Sequence, residues 1–578
     1  MPSTETPPRP SWRPTVIGKH YAVACGHYLA ANAAARILER GGNAVDAGVA
    51  ASMALAVLQP DVVSFSGVAP TLVYRRADRS VHSLAGLGWW PQATDVARLR
   101  SEGGGVVPEG LLRTVMPAAP ATHIAALLNF GTLGFEETAA AAHEIARDGF
   151  AAYPVFVRHL EKFEAKYRRW PSSAEVYLPE GRPPRVGEIF RQPQLARSIE
   201  GMMQAERNAP GGRVKKLRAA RDFYYKGPIA DGIAAFHREQ RGFVTREDLA
   251  AFEVPVEPAI HCTFRGQQVY SCDVWCQGIS LLQALKIIEH DDLGALGHNT
   301  PAYVHLLGEA LTLAFADREG YVGDPRFVHV PVAGMLAESY ARTQRSRIDA
   351  ARAFGGLPPP GTPPGAERAG FLADLSSYPV AAPGAALDTI YCCVVDRDGN
   401  AYSATLSDNA RDTPVIPSLG GNISSRGAQG RLEPGHPSEV RPGKRPRLTP
   451  TPALALREGE FAMGFGTPGG DVQTQAMLQV FLNITEFGMA VQEAVEAPRF
   501  GSFLAPSSFS PHGIGTFNLE GRFPASMFAA LQQLGQPVHA WPDLTPAAGA
   551  VCAIRRDPQT GWLHAGADPR REAYALAW

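Results

Sequence analysis

Residues 389–395 read TIYCCVV and residues 401–406 read AYSATL, with DRDGN between them. A short, continuous run of β-branched, aromatic and small apolar residues bounded by turn residues is the pattern of a buried strand. Asp, Gly and Asn at 396–400 supply the turn chemistry, so the two runs predict a buried hairpin. The stretch before them has the opposite character. Residues 354–384 contain LPPPGTPPG and AAPG, a proline and glycine density that predicts an exposed linker reaching to 388. Linker and core strand meet at Asp388–Thr389.

Upstream, the apolar periodicity over 30–58 is interrupted by Gly41, Gly42 and Asn43, which predicts two helices with the second capped near Asn43 and Asp46. Strands are expected at 71–74 and 81–84. Residues 127–150 read as mainly helical, with Thr132 near the start and Gly149 near the stop. Shorter helices are expected at 198–203 and 229–239, and a stronger amphipathic one at 300–317 behind Thr300-Pro301. No repeat of solenoid period is present.

Composition narrows the class. The 578 residues are 45% hydrophobic and 19% charged, enough apolar content for a sizeable core. Lys and Arg number 55 against 56 Asp and Glu, a balance without the electrostatic footprint of a nucleic-acid or anionic-membrane binder. The basic run RPGKRPR at 441–447 is read as a solvated or site-flanking loop. Seven cysteines are too few and odd in number for a disulfide scaffold. Cys272 and Cys276 lack a second ligand pair for zinc, and Cys392 and Cys393 read as strand packing on alternate faces. The proline-rich start carries no apolar signal segment, and the longest apolar run, about a dozen residues, is too short to span a bilayer. A cytoplasmic protein without metal or organic cofactor is expected.

A threonine opening a core strand needs no special role. Cleavage of the Asp388–Thr389 bond, however, would give Thr389 both a hydroxyl nucleophile and a free α-amine, whose ordinary pKa of about 7.7–8 suits a general base near neutrality. This is the N-terminal threonine variant of nucleophile–base catalysis. It needs an oxyanion hole. The segment GFGTPGGD at 464–471, before a helical pattern through Phe481, is a candidate, since adjacent glycines let two N–H groups converge. A tight turn before a helix is the other reading.

Beyond these local signals, the chain from about Tyr21 onward resembles the γ-glutamyltranspeptidase family of N-terminal-nucleophile hydrolases. The resemblance rests on GGNAVDAGVAASMALAVLQP at 41–60, FRQPQLARSIE at 190–200, GHNTPAYVHLLGEALTLAFADREGYVGDP at 297–325, VQEAVEAPRF at 491–500 and GADPRREA at 566–573. It implies an α+β fold, a four-layer αββα sandwich with two antiparallel sheets between helical layers. It further implies a precursor that cleaves itself between Asp388 and Thr389 into segments 1–388 and 389–578, which stay bound as one sandwich domain, with a dimer of such heterodimers as the candidate assembly. Position by position, Thr389 matches the nucleophile, Ser407 the hydroxyl that supports it, Asn409 a substrate-holding residue, and Gly469 and Gly470 the oxyanion pair.

The sequence departs from the family where a γ-glutamyl donor is held. Residues 84–91 read LAGLGWWP where an arginine is expected, Leu448-Thr449 replaces a serine pair, and Gln429 stands where an acidic residue should meet the ammonium. Losing charge-assisted contacts of about 1.5–3 kcal/mol each makes such a donor a poor fit. Arg426 enters the same region and suits a carboxylate; a loop arginine is its other reading. Trp89 and Trp90 are either core packing or a pocket wall. With Arg426, Asn409, Thr449 and Gln429 as substrate-binding candidates, the expected substrate is a small carboxylate-bearing amide. The run 389–429 resembles the oxamate amidohydrolase branch, which implies oxamate hydrolysis to oxalate and ammonia. A γ-glutamyltransferase or glutathione hydrolase with an altered donor pocket is the alternative, and a non-catalytic homologue the third reading.

Overall fold

The expected hairpin forms in the computed structural model of the chain, which describes residues 11–381 and 388–578. Ile390–Val395 pairs antiparallel with Ala401–Leu406, in register from Ile390 opposite Leu406 to Val395 opposite Ala401. Every residue of both strands is buried. They are central in a seven-stranded antiparallel sheet, the Thr389 sheet, in the order Tyr574–Ala577, Ala22–Cys25, Ile390–Val395, Ala401–Leu406, Thr71–Arg75, Ser80–Leu84 and Val256–Pro258. A second such sheet, the Gly469 sheet, runs Val16–Gly18, Leu563–Ala567, Cys552–Arg556, Glu460–Gly466, Ala453–Arg457, Gln267–Ser271 and Ile260–Phe264.

The apolar continuity of TIYCCVV follows from where its two faces go. Side chains alternate along a strand. Ile390, Cys392 and Val394 pack against the helices Tyr28–Glu39 and Ala44–Leu58, whereas Tyr391, Cys393 and Val395 meet Leu454, Cys552 and Ile554 of the other sheet. The far face of the Gly469 sheet carries Val269, Ala455 and Phe465 against the helices Gly278–Ile287, Pro301–Tyr321 and Gln473–Thr485. Helix, sheet, sheet and helix stack in that order, so the fold is the expected αββα sandwich. Both sheets contain strands from each side of residue 388.

Local signals held where the chemistry was local. Asn43 caps the helix Ala44–Leu58 with Asp46 closing a capping box, and Asp46 also accepts from the Thr132 and Leu133 amides. Thr300 caps Pro301–Tyr321. Residues 127–150, in contrast, divide into the end of Ala119–Phe130 and the helix Phe135–Asp148, because Thr132 is spent on Asp46 and the cap falls at Gly134.

The structure corrects or narrows several expectations. The helix Pro301–Tyr321 is not amphipathic, since every residue from Tyr303 to Tyr321 is buried. Part of its cover is the linker itself. The Gly361 amide donates to Asp317 Oδ1 at 2.8 Å and the Phe371 amide to the Gly320 carbonyl at 2.9 Å, so this otherwise largely solvent-facing stretch is pinned rather than loose. Residues 382–387 of the expected linker lie outside the described residues. The run 441–447 is only partly solvated, because Arg445 and Arg447 are buried beside Asp324 and Glu319. The Trp pair is packing: Trp90 sits in a small core with Leu99, Leu112 and Phe243, and Trp89 lies against Phe252. Lastly, the glycine-rich segment begins as strand. Gly464 and Gly466 belong to Glu460–Gly466, and a Cβ on Gly466 would stand 2.3 Å from the Tyr391 ring. Among the described residues no helix is long and apolar enough to cross a membrane.

Gly466→Ala forces an extra carbon between the two sheets, so a destabilisation of about 1–3 kcal/mol is expected, measured as a lower unfolding midpoint in denaturant; an unchanged midpoint would show that the sheets can separate freely there.

Candidate active site

Thr389 precedes its strand in a conformation that the strand cannot share. Its φ is +75°, in the left-handed region where a β-branched side chain is strained by about 1–3 kcal/mol. Three contacts hold it. Its amide donates to the Val62 carbonyl at 3.2 Å, its carbonyl accepts from Arg571 Nη1 at 3.2 Å, and its Oγ1 lies 2.6 Å from Ser407 Oγ. Ser407 directly follows the partner strand of the hairpin, so the register of Ile390 opposite Leu406 sets the two hydroxyls side by side.

A buried ion cluster closes around this pair. Ser407 Oγ donates to Asp388 Oδ1 at 3.0 Å, and Arg426 Nη2 donates both to Asp388 Oδ1, at 2.7 Å, and to Ser407 Oγ. Arg426 Nε is 3.4 Å from Asp408 Oδ1, which also accepts from the amide and hydroxyl of Ser425, each at 2.8 Å. Burial pushes the Asp408 carboxyl up to about 6, against the opposing pull of Arg426. Burial likewise lowers Arg571 to about 10, with Asp388 and Asp61 acting to restore it.

The two glycines named from sequence face the same space as Asp388. Gly469 and Gly470 have φ of +124° and +61°, and a Cβ on Gly469 would stand 2.4 Å from the Val472 side chain. Their loop is clamped from behind. Gln277 Nε2 donates to the Gly470 and Thr449 carbonyls, each at 3.0 Å, while Arg318 Nη1 donates to Gln277 Oε1 and to Asp471 Oδ1, each at 2.6 Å. Asp471 in turn accepts from the amide and hydroxyl of Ser508.

Asp388, Asn409, Gly469 and Gly470 line one cavity of about 550 Å³. Phe163, Phe315, Phe503, Phe509 and Trp541 give it aromatic walls, and Val380 and Ala381 of the linker border it. Its polar side holds Glu109, Arg113, Lys166, Arg411 and Asp412. Burial alone would raise the Asp412 carboxyl, but Arg411, Arg113 and Lys166 hold it at about 2. Arg411 reaches further back, its Nη1 2.9 Å from His159 Nε2, and the other ring nitrogen of His159 meets Asp61.

The sequence candidates divide into two groups. Thr389, Ser407, Asp388 and Arg426 form one hydrogen-bonded cluster, and Asn409, Gly469 and Gly470 join Asp388 on the cavity wall. Gln429 and Thr449 do not line the cavity: Gln429 Nε2 donates to Thr449 Oγ1 at 2.7 Å, a buried pair behind the glycine loop. Arg426 also lies behind the wall, buried and paired through Nη2 with Asp388 rather than open to solvent. Sequence reading missed Arg571, Arg318, Gln277 and Asp408. Arg571 and Arg318 lie within the segments 566–573 and 297–325 already singled out, and Asp408 lies between two candidates; Gln277 carried no local signal. For metals, the described residues bring one set of three ligand-type side chains together, Glu289, His290 and Glu338, and it shares no residue with the cavity.

Arg318→Met leaves the part-buried Asp471 without its cation and takes one of three arginines from the buried Glu319, which is expected to destabilise the fold by about 3–5 kcal/mol, read from denaturant unfolding; a loss below 1 kcal/mol would show that the clamp does not depend on this pair.

The family model described as Gamma-glutamyltranspeptidase matches residues 30–578. The glutathione hydrolase-like YwrD proenzyme of Bacillus subtilis is 28% identical, over 97% of this chain and 99% of its own length. The oxamate amidohydrolase proenzyme of Klebsiella pneumoniae is 28% identical, again over 97% and 99%. The crystal structure of cephalosporin acylase from Bacillus halodurans superposes with a TM-score of 0.85 at 28% identity, covering 100% of this chain and 99% of that one.

Proposed function

The chain belongs to the gamma-glutamyltranspeptidase family of enzymes, and we propose that it is a self-cleaving amidohydrolase with Thr389 as nucleophile. The observation that carries this reading is the contact of Thr389 Oγ1 with Ser407 Oγ beside a strained Asp388–Thr389 junction. In the precursor, Thr389 Oγ attacks the Asp388 carbonyl and displaces its own nitrogen, giving an ester that water hydrolyses. The left-handed strain at Thr389 is released in that step. The proenzyme relatives support the same course. Both sheets draw strands from each side of residue 388, so segments 1–388 and 389–578 remain bound as a heterodimer after the cut.

In the cleaved enzyme, the freed α-amine takes the proton of Thr389 Oγ as the hydroxyl adds to a substrate amide. Ser407 orients the hydroxyl. The Gly469–Gly470 loop, clamped by Gln277, stands where the oxyanion forms. The amine leaves with the returned proton, and water then frees the acid from the Thr389 ester. The proposed substrate is a small amide that carries a carboxylate. Oxamate, yielding oxalate and ammonia, is its smallest member and the one the Klebsiella relative acts on by name. A cytoplasmic location and a dimer of heterodimers complete the reading.

A second reading is favoured by the cavity. Its volume of about 550 Å³ and its aromatic walls accommodate a bulkier acyl or amine part than oxamate has, as an acylase or a γ-glutamyl-transferring enzyme would require. Turnover of γ-glutamyl-p-nitroanilide exceeding ammonia release from small amides would favour it.

Self-cleavage is checked on a denaturing gel with N-terminal sequencing. Wild-type protein yields two bands, the smaller beginning Thr389-Ile390-Tyr391, and Thr389→Ala yields one; a wild-type chain that stays whole after prolonged incubation overturns the proposal. Ser407→Ala is expected to slow cleavage and turnover by roughly 10²–10³-fold. Because the base is an amine with an ordinary pKa of about 7.7–8, kcat/KM is expected to rise with pH up to about 8 and then level; a profile flat from pH 5 to 9 would exclude the amine as base.

A further inference from the structure

Arg426 is a fully buried guanidinium whose Nη1 makes no hydrogen bond and whose close ion pair is with Asp388 Oδ1 at 2.7 Å. Asp388 is the residue on the acyl side of the bond that Thr389 is placed to attack. Its own carboxylate therefore stands, in the precursor, at a fixed distance from the carbonyl carbon under attack. Were residue 388 to depart as a new C-terminus after the proposed cut, Arg426 would lose that partner. It keeps Asp408, whose Oδ2 is also unsatisfied and whose carboxyl is held near 6 by burial. A buried cation stripped of its close anion is strongly unfavourable, so the vacated position calls for another carboxylate.

The covalent path fixes which carboxylate can reach it. In Asp388 two carbons, Cα and Cβ, separate the scissile carbonyl from the carboxylate. The acyl group of a substrate occupies the same place on Thr389 Oγ as the Asp388 acyl group does during self-cleavage. We infer that Asp388 is a built-in stand-in for the substrate, and that Arg426 selects amides whose carboxylate stands two carbons from the amide carbonyl, the monoamides of four-carbon dicarboxylic acids. The inference rests on the amidohydrolase reading and narrows its substrate. In oxamate one carbon–carbon bond of about 1.5 Å links the two groups, against three in Asp388, so its carboxylate stops short of Arg426. Misplacement on this scale is worth about 10²-fold in rate.

The reaction balances without a further reagent. Thr389 Oγ adds to the succinamate carbonyl carbon and its proton passes to the α-amine. The C–N bond breaks as that proton goes to the departing ammonia. Water then adds to the ester, the C–Oγ bond breaks, and succinate leaves with Thr389 restored. Asn409 and the Gly469–Gly470 loop lie on the wall that this acyl group would face.

The experiment uses the full chain after self-cleavage and measures ammonia release from oxamate, malonamate, succinamate, glutaramate and butyramide, the last being succinamate with methyl in place of carboxylate. The expected result is a maximum of kcat/KM at succinamate, roughly 10–100-fold above both oxamate and butyramide. Arg426→Gln is expected to bring the succinamate-to-butyramide ratio close to one. Because that variant also alters the cluster around Ser407, a second arm uses wild-type enzyme alone: succinate is expected to inhibit competitively at concentrations at least about tenfold below oxalate or butyrate. Cleaved, active enzyme that prefers oxamate, or that treats succinamate and butyramide alike, overturns the spacing rule and leaves the amidohydrolase reading standing. A chain that neither cleaves nor releases ammonia from any of these amides overturns both.

Discussion

The buried guanidinium of Arg426 is the constraint to which the rest of the centre answers. A cation shut away from water must be matched by anions in hydrogen-bonding geometry, and here they are Asp388 and Asp408. Meeting that demand fixes where residue 388 lies, and the same Nη2 reaches Ser407. With its own proton on Asp388, Ser407 is left to accept from Thr389 Oγ1. One electrostatic requirement thus places Asp388, the Thr389 hydroxyl that we propose as nucleophile and the Ser407 hydroxyl in one cluster.

The fold makes that arrangement rigid. Thr389 stands at the start of a strand paired on one side with Ala401–Leu406 and on the other with Ala22–Cys25. Helices pack on one of its faces and the Gly469 sheet on the other. Neither neighbour can move without breaking a ladder, so the left-handed turn at Thr389 has no easy way to relax. The opposing sheet contributes the glycine loop at the end of Glu460–Gly466, and the Arg318–Gln277 clamp ties that loop to the outer helices. The two halves of the centre are therefore carried by two sheets whose separation is set by contacts as close as Gly466 on Tyr391.

How much of this was legible in the sequence follows the range of each interaction. The hairpin and the caps at Asn43 and Thr300 are matters of a few residues, and the sequence carries them; Thr389 stands out at the junction of linker and strand, whereas Ser407 was named only through the family resemblance. Arg318 with Asp471, Arg571 with the Thr389 carbonyl and Arg411 with His159 join positions 153, 182 and 252 residues apart, and no local pattern announces them. Trp90 was ambiguous for the same reason: the same residue type serves a core or a pocket, and only the neighbours decide. Arg426 was legible as a carboxylate-binding residue, but its carboxylate proved to be one within the chain.

The most direct test of Thr389 as the nucleophile is the intact mass of the small segment during turnover. Enzyme mixed with excess succinamate, quenched in acid within a turnover and digested, is predicted to show one segment heavier by the succinyl acyl group, on the peptide that begins at Thr389. Steady ammonia release with no such adduct, or with the adduct on another residue, would contradict the account.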